Sequence, residues 1–411
     1  MKRSEREQKL QTIIETEKLL NEIQDVDVLL ERLLTEARGI VRADAGSIYV
    51  IEGDNLKIKY AQNDTQLRKL VSGDKLPYVA FSFPITENTI AGACVVRGEI
   101  INIPDAYQIP EDSSFHFNKS TDITTGYRTR SMLTLPLRMA NGRVLGVLQV
   151  INAQDENGNV IAFDKDAELY ITHFASNATQ ALEHAYLTNN MIKRMQRMAE
   201  FRDPRETGAH VERVSDFALE IYDRWALNHG VPNQEQQRFR DMLKIAAKCH
   251  DLGKVGVSDK ILKKVTPRFT DEERSIMMGH TCIGALLFTE PESPLDEMAR
   301  DVCLYHHEWF DGSDKGYPGH FDYSQYVIET PVPKGVPLKG EEIPLSARIV
   351  ALADVFDALS HKRVYKEAWS MDDTFMEIQN LSGSQFDPEV VLAFMQVKER
   401  ILAINSAREA L

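Results

Sequence analysis

Apolar positions recur along this chain with two different periods, and the change of period divides it. From Glu5 to about Arg38, Leu10, Ile13, Ile14, Leu19, Leu20, Ile23, Leu29, Leu30, Leu33 and Leu34 return at mostly helical spacing among charges. This predicts an amphipathic helix broken near Asp25. Short runs with strand character follow at Gly46–Ile51, Leu56–Ala61, Glu99–Ile103, Ser131–Leu137 and Val144–Ala153, separated by turn signals such as Glu52-Gly53-Asp54-Asn55 and Asn141-Gly142-Arg143. The last two runs read as a hairpin. Helices flanking a mostly antiparallel sheet predict an α+β domain.

A second helical stretch runs from about Asp164 towards Glu206. Its Phe174, Ala178, Ala181, Ala185, Thr188, Ile192, Met195 and Ala199 alternate spacings of four and three. That pattern suits a coiled-coil seam joining two copies in parallel, and equally one helix packed on its own domain. Beyond residue 200 the period is helical almost throughout, so the C-terminal part is expected to be all-α. One irregular region, about Asp311 to Pro344, is rich in Gly, Pro and Tyr, as functional loops often are.

With 411 residues, two or three domains are expected. The formal charge, 48 Lys+Arg against 62 Asp+Glu, is −14, which argues against general binding of nucleic acid or acidic lipid. The first residues lack the apolar core of a leader and no run is long enough to span a bilayer, so a cytoplasmic location is the expectation. Cys94, Cys249, Cys282 and Cys303 form no C-x-x-C pair and are expected as buried free thiols.

Histidine changes the picture most, because eight of the eleven lie after residue 200. Glu206 and His210 stand four apart and can share a helix face. His250-Asp251 follow the apolar stretch Leu243–Ala247, where charges need partners. His280 falls in another helix. His306-His307 are consecutive, so on a helix their side chains diverge by about 100° and suit adjacent metals better than one. Asp354 sits in the apolar run Ile349–Leu359, where a metal or strong hydrogen bonds should hold it.

Five ordered motifs carry a resemblance over roughly residues 195–405: TGAHVERV (Thr207–Val214), AAKCHDLGKVGVSDKIL (Ala246–Leu262), HHEWFDG with the later GYP (His306–Pro318), IPLSARIVALADVFDAL (Ile343–Leu359) and SGSQFDP (Ser382–Pro388). This region resembles the HD-GYP phosphodiesterases, metal-dependent HD hydrolases that cleave cyclic di-GMP. The resemblance implies Glu206, His210, His250, Asp251, His280, His306, His307 and Asp354 as metal ligands, with Asp251 bridging. A glutamate at the Glu206 position implies three ions rather than two. The mixed imidazole and carboxylate set suits iron or manganese. His250, Asp251 and Lys254 would be catalytic. Lys254 would contact a phosphate oxygen or assist the leaving group, Arg363 and Lys366 would bind phosphate or guanine, and Tyr317 would position substrate or shape the wall. Products would be pGpG, GMP or both.

Two departures are visible. The segment Asp311–Pro318 is about two residues longer than the family's D-G-x-G-Y-P. An insertion of roughly 20 residues follows Pro318; its Tyr323 and Tyr326 could stack on a base, making it a lid, or it could equally be disordered or a packing flap. It bears on the choice between cyclic di-GMP and another cyclic dinucleotide.

The N-terminal part, about residues 25–185, resembles a GAF domain, chiefly through FNKSTDITTGYRTRSMLTLPL (Phe117–Leu137). Of the nucleotide-binding signature Asn152, Phe163 and Asp166 remain, while Ala153 and Ala167 replace Lys and Glu, so the GAF ligand and the sign of regulation stay open. The expected architecture is an N-terminal helix (1–24), a GAF sensor (25–185), a connecting helix (164–205) and an HD-GYP domain (195–405) in a homodimer. Two rival readings are an HD-type hydrolase of another cyclic dinucleotide or nucleotide and a non-enzymatic receptor for cyclic di-GMP.

Overall fold

The computed structural model describes residues 3–23, 25–68, 82–202, 208–264, 268–361 and 368–409. They form two compact units, Met1–Leu187 and Thr188–Leu411.

In the first unit the break near Asp25 is real and has a cause. Helix Arg3–Glu22 ends there and helix Val26–Val41 begins, with the Asp25 carboxylate accepting from the amides of Asp27 and Val28. The strands are β1 (Ala43–Glu52), β2 (Asn55–Asn63), β3 (Ser82–Pro84), β4 (Ile101–Ile103), β5 (Met132–Arg138), β6 (Val144–Gln154) and β7 (Val160–Ile161). They form one antiparallel sheet in the order β3-β2-β1-β6-β5-β4, with β7 on β6. The expected hairpin is β5–β6, and β1 pairs β6 across the centre. Side chains alternate between two faces, as strand geometry requires. Ile48, Val50, Leu133, Leu135, Leu148 and Val150 pack with the helices Val26–Val41 and Lys165–Arg202. Leu56, Met132 and Val147 face the other way, against Ile90, Ala93 and Cys94 of the helix Ile90–Arg97.

The helix Lys165–Arg202 is 38 residues long. The seam expected between two copies is covered by the chain itself. Phe174, Ala178, Ala181 and Ala185 are buried in the first unit's core, and Ile192, Met195 and Ala199 pack on the core of the second. An apolar stripe marks a buried face without saying what buries it. Leu169, Leu187, Met191, Met198 and Phe201 are instead the large exposed apolar residues of this helix.

The second unit is helical. Its core centres on Phe217, Phe356, Phe375 and Phe394, with Tyr222, Leu243, Val302, Ile349 and Val350 around them. This cluster lies beneath the turns that carry the histidines, since Leu252 and Cys303 belong to it. All four cysteines are buried free thiols. Among the described residues, no helix is long and apolar enough to cross a membrane.

Candidate metal centre

Four elements of the second unit converge on one carboxylate. His210 lies in the first turn of helix Gly208–Asn228. His250 and Asp251 close the turn after helix Asn233–Ala246, His280 opens helix His280–Leu286, and His306 caps helix Pro294–Tyr305 with His307 following. Gly253 permits this convergence: a Cβ there would stand 1.8 Å from the His280 carbonyl oxygen and 2.4 Å from the Gly284 nitrogen. Only glycine lets the His-Asp turn lie so close to the next helix.

Two groups of candidate ligand atoms result, each spanning less than 4.8 Å: Asp251, His280, His306 and His307, and His210, His250 and Asp251. Asp251 belongs to both. Its Oδ1 lies 3.2 Å from His280 Nε2 and 3.9 Å from His306 Nε2, while its Oδ2 lies 3.1 Å from His250 Nε2. Asp354, on helix Leu345–Ser360, borders the second group with Oδ1 3.5 Å from His210 Nε2.

The histidine tautomers follow from their outer partners. His250 Nδ1 meets the Ala247 carbonyl at 2.8 Å, His280 Nδ1 that of Met277 at 2.8 Å, and His306 Nδ1 those of Val302 and Cys303 at 2.9 and 3.1 Å. A carbonyl can only accept, so each Nδ1 carries a proton and each Nε2 is the ring atom turned inward. His280 Nε2, His306 Nε2 and Asp251 Oδ1 are buried and make no hydrogen bond among the described residues. Buried nitrogen and oxygen atoms that face one another in this way suit a cation between them. The donor set therefore fits a metal ion.

Burial disfavours charge on Asp251, yet Lys254 and His250 hold its carboxyl well below the usual carboxylate range, and the Lys254 ammonium sits 2.8 Å from Oδ2. Burial, with the neighbouring His250, pushes His306 down to about 3, and burial likewise lowers His307. The unfolded chain takes up a proton near pH 6.5 that folded His306 refuses until about pH 3. This contribution to stability is thus present above pH 6.5 and lost progressively as pH falls towards 3. The urea midpoint of the metal-free chain is expected to fall between pH 7 and pH 5, about when unfolded histidine protonates. A midpoint that rises over this interval would contradict the neutral assignment.

Of the residues singled out in the sequence, His210, His250, Asp251, Lys254, His280, His306, His307, Tyr317 and Asp354 come together here. Glu206, Arg363 and Lys366 lie outside the described residues. One geometric expectation is corrected: His306 and His307 do not diverge towards separate metals. The helix ends at Tyr305, so the two rings stand 4.1 Å apart and belong to the same group. The longer loop before Tyr317 folds its extra length into turns, with Gly312 N–H on Trp309 O and Gly316 N–H on Ser313 O. Tyr317 still stacks on His307 at 4.7 Å. The motif Ser382–Pro388 holds the start of this loop, as Phe310 and Asp311 donate to the carbonyls of Gln385 and Ser384.

Sequence reasoning missed Asp357 and Glu308. The buried Asp357 carboxylate meets His210 Nδ1 at 2.7 Å, Arg213 Nε and Nη2 at 2.5 and 2.9 Å, and His361 Nδ1 at 3.1 Å. Burial opposes its charge, but hydrogen bonds from His210, His361 and Arg213 pull its pKa far down. The available signal was the spacing of three from Asp354 within one apolar run.

Comparison with known proteins agrees with this division. Residues 25–182 match the GAF domain family, and residues 207–359 match the HD domain family, with a further HD match at 332–390. The chain carries a GAF domain followed by an HD domain. A cyclic di-GMP phosphodiesterase of Vibrio cholerae is 35% identical over 269 residues, covering 63% of this chain and 49% of its own length. A cyclic di-GMP phosphodiesterase of Thermotoga maritima is 34% identical over 238 residues, 58% of this chain and 54% of its own. A 3'3'-cGAMP-specific phosphodiesterase of Vibrio cholerae is 34% identical over 203 residues, 49% of this chain and 34% of its own. The chain thus spans about half or less of the length of these relatives.

Proposed function

We propose that the chain is a metal-dependent phosphodiesterase that hydrolyses cyclic di-GMP to pGpG, GMP or both, with the GAF domain as its regulatory part. The observation that carries this reading is the sharing of Asp251 between two ligand groups whose ring nitrogens point inward. Divalent ions held there would lower the pKa of a water towards neutrality and offset charge building on a phosphodiester. The chain's own residues supply the rest. His210, His250 and Asp251, bordered by Asp354, hold one ion; Asp251, His280, His306 and His307 hold the next. Lys254, already on the Asp251 carboxylate, is placed to meet a phosphate oxygen or the departing alkoxide. Tyr317, stacked on His307, forms a wall, and Arg363 and Lys366 bring positive charge to a dianionic substrate.

Iron or manganese fits this oxygen and nitrogen set. Glu206, four residues before His210, is assigned to a third ion; Glu206→Ala is expected to lower the metal count by about one per chain in elemental analysis. An unchanged count would remove that assignment.

Chromatography of products after anaerobic loading with Fe(II) or Mn(II) tests the activity, with Asp251→Asn as control. Cleavage of cyclic di-GMP by the intact chain alone supports the reading. Cleavage of 3'3'-cGAMP in preference would favour a second reading, motivated by the 34% identity to a phosphodiesterase of that name. A homodimer is assigned to the exposed face of the connecting helix, where Met191 and Met198 fall on one stripe. Met191→Lys with Met198→Lys is expected to halve the mass in light scattering while leaving metal content intact. A mass the same as that of the unsubstituted chain would exclude this face.

A further inference from the structure

The insertion after Pro318 is tied down at both ends against the turns that carry candidate ligands. At its neck His320 and Val336 exchange hydrogen bonds of 2.7 and 3.0 Å. Gly319 and Gly335 cross so closely that a Cβ on Gly319 would lie 2.8 Å from the Gly335 carbonyl carbon, and one on Gly335 2.7 Å from that of Gly319. The Gly319 amide donates to the Glu308 carboxylate at 2.5 Å. Glu308 is buried and directly follows His306-His307; burial raises its pKa, while the amides of Gly319 and Leu338 oppose that rise.

Beyond the neck Tyr326 is only 7% exposed, so it cannot present its face to a base. Its ring covers Gly279, the residue before His280: a Cβ on Gly279 would stand 2.0 Å from the Tyr326 hydroxyl. That hydroxyl donates to the Thr330 carbonyl at 2.8 Å, and the Val332 amide donates to Ser275 Oγ at 3.0 Å. Phe321, Tyr323 and Val332 join the apolar cluster of Ile276, Met277, Cys282, Ile283 and Leu304. Met277 is also the residue whose carbonyl fixes the His280 tautomer.

We infer that segment 319–337 is a positioning element of the metal centre, not a lid over it, and that Tyr326 and Glu308 are its two positioning residues. Tyr326 sets the turn Met277–His280 from outside, and Glu308 fastens the turn after His307 to the neck of the same segment. One inserted piece of chain thereby registers two ligand-bearing turns against each other. The inference rests on the metal-centre reading and deepens it. Outer groups of this kind change metal affinity by about 10- to 100-fold.

The test uses the full chain loaded with Mn(II) and measures the rate at which a chelator removes the ion, beside kcat and KM for cyclic di-GMP. Tyr326→Ala is expected to lose Mn(II) at least about tenfold faster, with KM little changed, and Tyr326→Phe to restore retention. Val327→Glu with Ile328→Glu, at the exposed tip of the segment, is expected to change neither quantity. If Tyr326→Ala does not fold, Glu308→Gln gives the same readout, because one amide oxygen replaces a carboxylate that serves two backbone amides. Retention as in the unsubstituted chain by whichever of these two folds would overturn the inference. So would a tip substitution that raises KM at constant metal content, the signature of a lid. Failure of the unsubstituted chain to bind Mn(II) at all would instead remove the underlying metal centre.

Discussion

Asp251→Ala is expected to empty both halves of the centre at once. Among the described residues His210, His250, His280, His306 and His307 each belong to a single group, whereas this carboxylate faces His280 and His306 with one oxygen and His250 with the other. Elemental analysis should therefore give less than one ion per chain, and on the proposed reading turnover of cyclic di-GMP should fall by more than about a thousandfold, since the ions would supply the activated water and the charge stabilisation. His307→Ala, which touches only one group, should leave a larger residue of metal. The comparison of the two variants is the informative part. If Asp251→Ala keeps its ions and stays within about tenfold of the unsubstituted rate, each group stands alone and the carboxylate does not bridge.

The largest loss of stability is expected from Asp357→Ala. This carboxylate is 2% exposed and takes both Nε and Nη2 of the buried Arg213, along with His210 and His361. Its removal leaves a guanidinium in the interior without its counter-ion, at a cost of about 3–5 kcal/mol. In a unit of this size the calorimetric midpoint should fall by about 6–20 °C. Asp357→Ala combined with Arg213→Met should recover much of that fall, because the stranded charge leaves with its partner. Asp357→Asn should be milder in stability yet still weaken metal binding about 10- to 100-fold through His210. A melting point within about 2 °C of the unsubstituted chain for Asp357→Ala would show that water reaches Arg213.

What could be read from the chain and what could not divides along physical lines. The hairpin β5–β6, the helix break at Asp25 and the histidine-bearing turns were legible because each is written in adjacent residues: a period, a cap, a turn. The candidate ligands stood out because ionisable residues inside apolar helical runs need partners. Strands β3 and β7, of three and two residues, are too short to impose a period. The stripe Phe174–Ala199 and the burial of Tyr326 depend on what lies across the fold, which local spacing does not encode. Asp357 was hidden for a related reason. Its partners Arg213 and His210 are distant in sequence, so no local spacing points to them.

The main-chain anchors of His250, His280 and His306 also bear on how the proposed centre would meet an incoming ion. Their receivers are carbonyls of neighbouring turns, fixed once the helices form. On the metal-centre reading an ion would find these three rings already oriented, so its capture would demand no swing of a side chain. The affinity of such a frame would thus be purchased during folding, and loading would become a matter of exchanging water for nitrogen on a cage that is already standing.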